Sequence, residues 1–142
     1  MERSIIFVES NTSGTGYMLA TIAYRRGFKP LLITNDIPRY NFENYGDFHI
    51  VDTNNYNSVR DKVVELKEVY DVKGITSTSD YYMEMVARLT EEFNYPSASL
   101  DTIMLCRNKY NFRKHMKKNA FLSPNFMLIQ NEWISFIRHY RA

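Results

Sequence analysis

From residue 4 to residue 93, short apolar runs alternate with amphipathic stretches, an order that leaves few architectures open. The run SIIFVE (4–9) is β-branched and nearly all apolar, as a strand covered on both faces must be. A polar loop at 10–15 leads into a helical stretch reaching about Arg26, with Leu19, Ile22 and Ala23 expected on its inner face. Gly27 closes that helix in the usual C-terminal place for glycine. KPLLIT (29–34) reads as a second strand and DFHIV (47–51) as a third. Val59, Val63, Leu66 and Tyr70 then recur at helical spacing over 55–70. A short fourth strand at 73–76 precedes another helix over 79–93, with Tyr82, Met85, Val86, Leu89 and Phe93 on one side. This pattern predicts an α/β fold: a small, Rossmann-like parallel sheet in the order 3-2-1-4, flanked by helices on both faces.

Beyond residue 94 the pattern changes. NYPSAS is a connector, and two short helices are expected at 100–106 and 109–118, broken around Arg107 and Asn108. FLSPNF turns the chain, 126–129 is a candidate strand, and 131–140 is expected to be helical. The expected division is therefore a Rossmann-like domain over 1–95 and a helical linker with the start of a further region over 96–142.

Composition narrows the function classes. A hydrophobic fraction of 44% and a charged fraction of 24% suit a folded globular chain, and a net charge of +2 is too small to draw the whole molecule to nucleic acid. The single cysteine, Cys106, can form no intrachain disulfide, which fits a reducing cytoplasm; its expected place is a small buried position beside Ile103 and Met104. No apolar run is long enough for a signal-peptide core or a membrane span.

Three stretches invite a functional reading. In ESNTSGTGYMLA (9–20) a glycine-bearing loop joins the first strand to the first helix, at the sheet end where doubly wound folds bind ligands. Gly14 and Gly16 match the first two glycines of a dinucleotide fingerprint, but Leu19 stands at the third. A capping turn or a site for a small polar substrate therefore remains open, with Ser13, Gly14, Thr15 and Gly16 as its residues. TSTSDYY (76–82) brings hydroxyls and Asp80 to the same end, where Ser79 and Asp80 also suit an ordinary helix start. The third stretch, CRNKYNFRKHMKKNAFLSPNF (106–126), is cationic. If Asn108 caps its helix, Lys109 falls in the first turn, against the helix dipole, at a cost of a few tenths of a kcal/mol that a bound anion would remove. Phe112 and Met116 are expected to face inward, and no zinc or nucleic-acid motif accompanies the basic residues. The three histidines are scattered, without metal-ligand spacing.

The block PSASLDTIMLCRNKYNFRKHMKKNAFLSPNF resembles the N-terminal region of ATP-grasp enzymes, in particular the carboxylate–amine (L-amino acid) ligases, and more distantly biotin carboxylase. Its matches are Pro96–Ser97, the run Cys106, Arg107, Asn108, Lys109, and the turn AFLSPNF; Tyr95 stands where glycine is commoner. The loop NTSGTGY is similar to the ligases' first strand–helix turn. The resemblance spans 4–138 and is most specific over 96–126. It implies a pre-ATP-grasp domain, with Lys109 reaching the nucleotide phosphates and a carboxylate or amino acid held near Ser13–Gly16. It also implies ATP and Mg²⁺ as cofactors of the complete enzyme, and an acyl phosphate that an amine attacks. The second ATP lysine and the magnesium carboxylates of that family lie beyond residue 142 of its pattern. The expectation is thus a substrate-side domain that is not catalytic alone and that works with a missing ATP-grasp domain or a second chain. A stand-alone, non-catalytic Rossmann-like binding module is the alternative, and a nucleic-acid-binding domain a third. Neither a membrane nor a nucleic acid is an expected partner of the first reading. A homodimer through Trp133, Phe136 and Tyr140 is a further expectation.

Overall fold

The computed structural model describes residues 1–39 and 46–129. Four strands, β1 (Arg3–Val8), β2 (Lys29–Thr34), β3 (Asp47–Ile50) and β4 (Asp71–Thr76), form one parallel sheet in the order β3-β2-β1-β4. Helix α1 (Thr15–Arg25) links β1 to β2, and α2 (Tyr56–Val69) links β3 to β4. A 3₁₀ turn at Asp80–Tyr82 opens into α3 (Met83–Glu92), followed by α4 (Leu100–Arg107) and α5 (Lys109–Lys118). The sheet order is the expected one, and the reversal of winding after β3, where α2 carries the chain back across the sheet to β4 beside β1, is what places helices on opposite faces.

Alternation along the strands assigns those faces. Ile6, Val8, Leu31 and Ile33 cluster with Val59, Val63 and Leu66 of α2 and with Val86 and Leu89 of α3. Phe7 and Leu32 point the other way, onto Ala20 and Ala23 of α1. Burying each large aliphatic chain contributes roughly 1.5–3 kcal/mol, so the α2/α3 face carries more of the apolar stabilisation.

Helix α1 corrects one expectation: Ile22 is 45% exposed, and the inner face is Gly16, Ala20 and Ala23. Small residues at i, i+4 and i+7 let the helix backbone lie close to the sheet, and at 100° per residue Ile22 falls on the far side. The helix ends as expected. Gly27 has φ 78°, its N–H donates to Tyr24 O, and Phe28 N–H donates to Ala23 O, which is a Schellman closure.

Chain contacts divide the molecule into two compact units, Met1–Ile103 and a second beginning at Met104. In the second, Cys106 is exposed and Met104 is 46% exposed, contrary to expectation, because α4 has apolar residues around its circumference and buries none of them. Residues 126–129 form no strand, since no described strand pairs with them. Residues 131–140, with Trp133, Phe136 and Tyr140, lie outside the described residues.

Candidate functional site

The carboxyl ends of all four strands meet in one hydrogen-bonded rim, and Glu9, directly after β1, is its centre. Glu9 Oε1 accepts from Asn35 N (2.6 Å) and from Thr53 Oγ1 (2.6 Å), and Oε2 accepts from Thr34 Oγ1 (3.2 Å). Thr53 Oγ1 also lies 3.4 Å from Tyr82 Oη. One carboxylate thus gathers the segments after β1, β2 and β3, and through Thr53 it reaches the 3₁₀ turn that follows β4. Thr34 and Thr53 are fully buried, so their hydroxyls need these partners.

Asn11 and Ser10 tie down the rest. Asn11, 7% exposed, donates to Ile37 O (2.9 Å) and accepts from Arg39 N (2.7 Å), clasping the segment after β2. Ser10 Oγ accepts from Thr78 N (3.0 Å), which joins the loop after β1 to the loop after β4. These two loops flank the switch point between β1 and β4, where a doubly wound sheet leaves its ligand crevice.

The loop 13–16 sits on this frame. Gly16 is buried, and a Cβ added to it would stand 1.9 Å from Ser10 O, so only glycine allows the first turn of α1 to approach the strand end so closely. Gly14, at the N-cap, offers no side chain; Thr12 accepts from Gly16 N through Oγ1 (3.0 Å) and from Tyr17 N through its carbonyl (3.0 Å). The first turn holds no acidic residue. Ser13 and Thr15 are exposed, and their hydroxyls have no hydrogen-bond partner among the described residues. The structure therefore presents two unengaged hydroxyls at a helix start. On the opposite loop Ser77 Oγ accepts from Ser79 N, and Ser79 makes no side-chain cap. Asp36 Oδ1 accepts from Ile37 N in its own turn.

Lys109 belongs to the second unit. Asn108 caps α5, its Oδ1 accepting from Asn111 N at 3.0 Å, and Lys109 is the exposed first residue of that helix. Five cations, Lys109, Arg113, Lys114, Lys117 and Lys118, and no acid lie along α5. Phe112 and Met116 are half-buried. An open cavity of about 420 Å³ lies at the far end of the helix, lined by Lys117, Phe121, Asn125 and Phe126 among others. Eight residues at 1.5 Å each put Lys117 ~12 Å along the axis from Lys109, so the cavity and the first turn are separate features. The described residues contain no group of three or more His, Cys, Asp or Glu placed to hold a metal ion, and no helix among them is long and apolar enough to cross a membrane.

Sequence alone names Ser13–Gly16 and Lys109; Glu9, Asn11, Thr34 and Thr53, which tie the strand ends together, are not singled out by it. The available signal was a polar residue at, or within two residues of, the end of each of the first three strand runs.

No family model matches the chain. Uncharacterized protein y4rH of Sinorhizobium fredii is 25% identical over 112 residues, covering 77% of this chain and 23% of that protein. Among solved structures, an L-amino acid ligase from Bacillus licheniformis superposes with a TM-score of 0.72 at 18% identity, over 92% of this chain and 33% of that one. A phosphoribosylglycinamide synthetase from Anaerococcus prevotii gives a TM-score of 0.72 at 18% identity, over 96% of this chain and 35% of that one. The chain spans about a third of the length of the solved structures it matches. Its fold is the one shared with these two proteins, and the one that the sequence resemblance to the N-terminal region of ATP-grasp ligases implies.

Proposed function

We propose that this chain is the substrate-side, pre-ATP-grasp domain of an ATP-dependent carboxylate–amine ligase. The observation that carries the reading is the fold likeness over nearly the whole chain to two proteins whose names are those of a ligase and a synthetase. In such a reaction ATP activates a carboxylate as an acyl phosphate for attack by an amine. The residues here bind and position. Ser13 and Thr15 offer free hydroxyls, and Gly14 and Gly16 let the first turn of α1 lie close to the strand end, where the helix dipole favours a carboxylate although Thr12 already takes the Gly16 and Tyr17 amides. Lys109 contributes to the phosphate site, since an exposed ammonium beside the capped start of α5 suits an anion. No residue described here is assigned to Mg²⁺.

An ATP-grasp domain, in the same protein or in a second chain, completes the site in this reading. Phe121 (60% exposed), Leu122 (99%) and Met127 (80%) form the apolar surface on which it packs. The reading places the protein in the cytoplasm. Calorimetric titration with ATP and Mg²⁺, on the wild-type chain and on Lys109→Ala, tests it. Weak binding that the substitution abolishes is expected; binding that is absent, or that survives the substitution unchanged, contradicts the role given to Lys109.

A further inference from the structure

The net charge of +2 conceals a division between the two compact units. Residues 1–103 carry 10 Lys and Arg against 15 Asp and Glu, whereas residues 104–142 carry 8 against 1. The cationic excess is densest on α5. From Met104 to Ile129 there is no Asp or Glu, and the ion pairs among the described residues fall on Lys29, Arg60, Lys62 and Lys73, all in the first unit. Lys109, Arg113, Lys114, Lys117 and Lys118 therefore have no carboxylate partner among those residues.

Their spacing sets them against one another. Lys109–Arg113, Arg113–Lys117 and Lys114–Lys118 are i,i+4 neighbours and Lys114–Lys117 an i,i+3 pair, and like charges at these spacings destabilise a helix. At about 100° per residue all five fall within one half of the helix circumference, with Tyr110 among them. Phe112 and Met116, the half-buried apolar residues, fall in the other half. Lys109, Lys114, Lys117 and Lys118 are exposed, and Arg113 is half-buried. A face of one sign that costs its own helix stability is relieved by a polyanion.

The chemistry of the face narrows that polyanion. The cations extend ~14 Å along the axis, too far for one small anion to meet them all. Apart from Tyr110 this half of α5 carries no aromatic or aliphatic side chain. It lacks the apolar anchors on which a protein partner's affinity rests, and the apolar face that a helix lying on a membrane inserts. A nucleic-acid backbone draws its affinity from charge alone. A stiff duplex would lie along one line of the face. A single strand can follow cations spread around half the circumference and stack a base beside Tyr110, whose ring lies 5.6 Å from the Lys114 ammonium.

We propose that the face of α5 formed by Arg113, Lys114, Lys117 and Lys118 binds the phosphodiester backbone of a single-stranded nucleic acid, without regard to sequence. The inference goes beyond the ligase reading and does not rest on it, since Lys109 is left to the nucleotide.

The test follows the fluorescence anisotropy of a labelled single-stranded RNA of about 12 nucleotides, titrated with the 142-residue chain at several salt concentrations. Micromolar binding is expected at low salt. It should weaken with a slope of log K on log salt of about −3, the value for four phosphates neutralised on a single strand. The triple variant Lys114→Gln, Lys117→Gln, Lys118→Gln keeps good helix formers and removes three of the four charges. It should bind the RNA at least ~10-fold more weakly, with a slope near about −0.7, and should bind ATP as the wild type does. No binding by the wild type, or binding with a flat slope, overturns the inference even if the variant fails to fold. So does a folded variant that binds RNA as tightly as the wild type. A duplex of the same length, or a poly-glutamate peptide of equal charge, that binds at least as tightly as the single strand overturns it too. ATP binding that depends on Lys109 beside a flat RNA slope would sink this inference alone; a steep RNA slope without any ATP binding would sink only the nucleotide role given to Lys109.

Discussion

Helices α1 and α5 begin in contrasting ways. At α5 the cap is in its usual place, Asn108 accepting from Asn111 N, and the first turn adds a lysine that the dipole disfavours. At α1 the N-cap is a bare glycine, Thr12 takes over two of the first-turn amides from upstream, and the turn carries no charge of either sign. The first start is an ordinary cap with a cation attached; the second is a backbone brought close to a strand end with its hydroxyls left unengaged. An anion at α5 would answer to one side chain, whereas an anion at α1 would answer to the geometry of the loop. Changes at the two places should accordingly cost different things: stability together with binding at α1, binding alone at α5.

The largest effect is expected at Gly16. Gly16→Ala forces a methyl onto Ser10 O, and urea unfolding should show a loss of about 3 kcal/mol; an unchanged midpoint would mean that the loop is not held as described. Glu9→Ala comes next. It strips acceptors from the buried Thr34 and Thr53 hydroxyls and should cost about 2 kcal/mol, whereas Glu9→Gln, whose amide oxygen still accepts from Asn35 N and Thr53 Oγ1, should cost clearly less. If the two variants behave alike, the rim is not organised around that carboxylate. Ser4 provides a contrast of sign. It is fully buried in β1 with no partner for its hydroxyl among the described residues, so Ser4→Ala should stabilise the chain by ~1 kcal/mol.

His49 on β3 gives a smaller, pH-dependent effect. Burial first, and then the Lys62 ammonium, hold its pKa below the ordinary 6.5. The folded chain resists a proton that the unfolded chain accepts, so stability is full above about pH 6.5 and falls as the pH drops toward the lower folded value. His49→Asn should flatten that slope in unfolding curves recorded from pH 7.5 to 5.5; an unaltered slope would assign it to another group. Asp47, lowered by its hydrogen bonds to Lys29 and Tyr70 although burial opposes them, loses its contribution only below the 3.8 of a free carboxyl, outside this window. The smallest effect is at α5, where Lys109→Ala should stabilise the helix by a few tenths of a kcal/mol while abolishing nucleotide binding. A clear destabilisation would make Lys109 a structural residue.

The sheet could be read from the sequence because its determinants are local. SIIFVE and KPLLIT announce buried strands, and Val59, Val63 and Leu66 announce the inner face of α2 at the right spacing. The cap at Asn108 was legible for the same reason. The hub at Glu9 was not, since its partners Thr34, Asn35 and Thr53 lie 25, 26 and 44 residues away and only the folded sheet brings them together. Ile22 and Cys106 misled for another reason. Hydropathy marks both as inner residues, but α1 is fitted to its sheet by the smallness of Gly16, Ala20 and Ala23, and α4 buries none of its residues fully.

Amide chemical-shift mapping of the isotope-labelled chain tests the central contrast most directly. It would be titrated first with ATP and Mg²⁺ and then with the common L-amino acids, each offered singly at millimolar concentration. The account predicts that ATP moves the amides of Lys109, Tyr110 and Asn111 and leaves Ser13–Tyr17 in place, while at least one amino acid moves Ser13–Tyr17 and leaves α5 in place. Shifts at neither set, or both ligands perturbing the same set, would contradict the division of labour between the two helix starts.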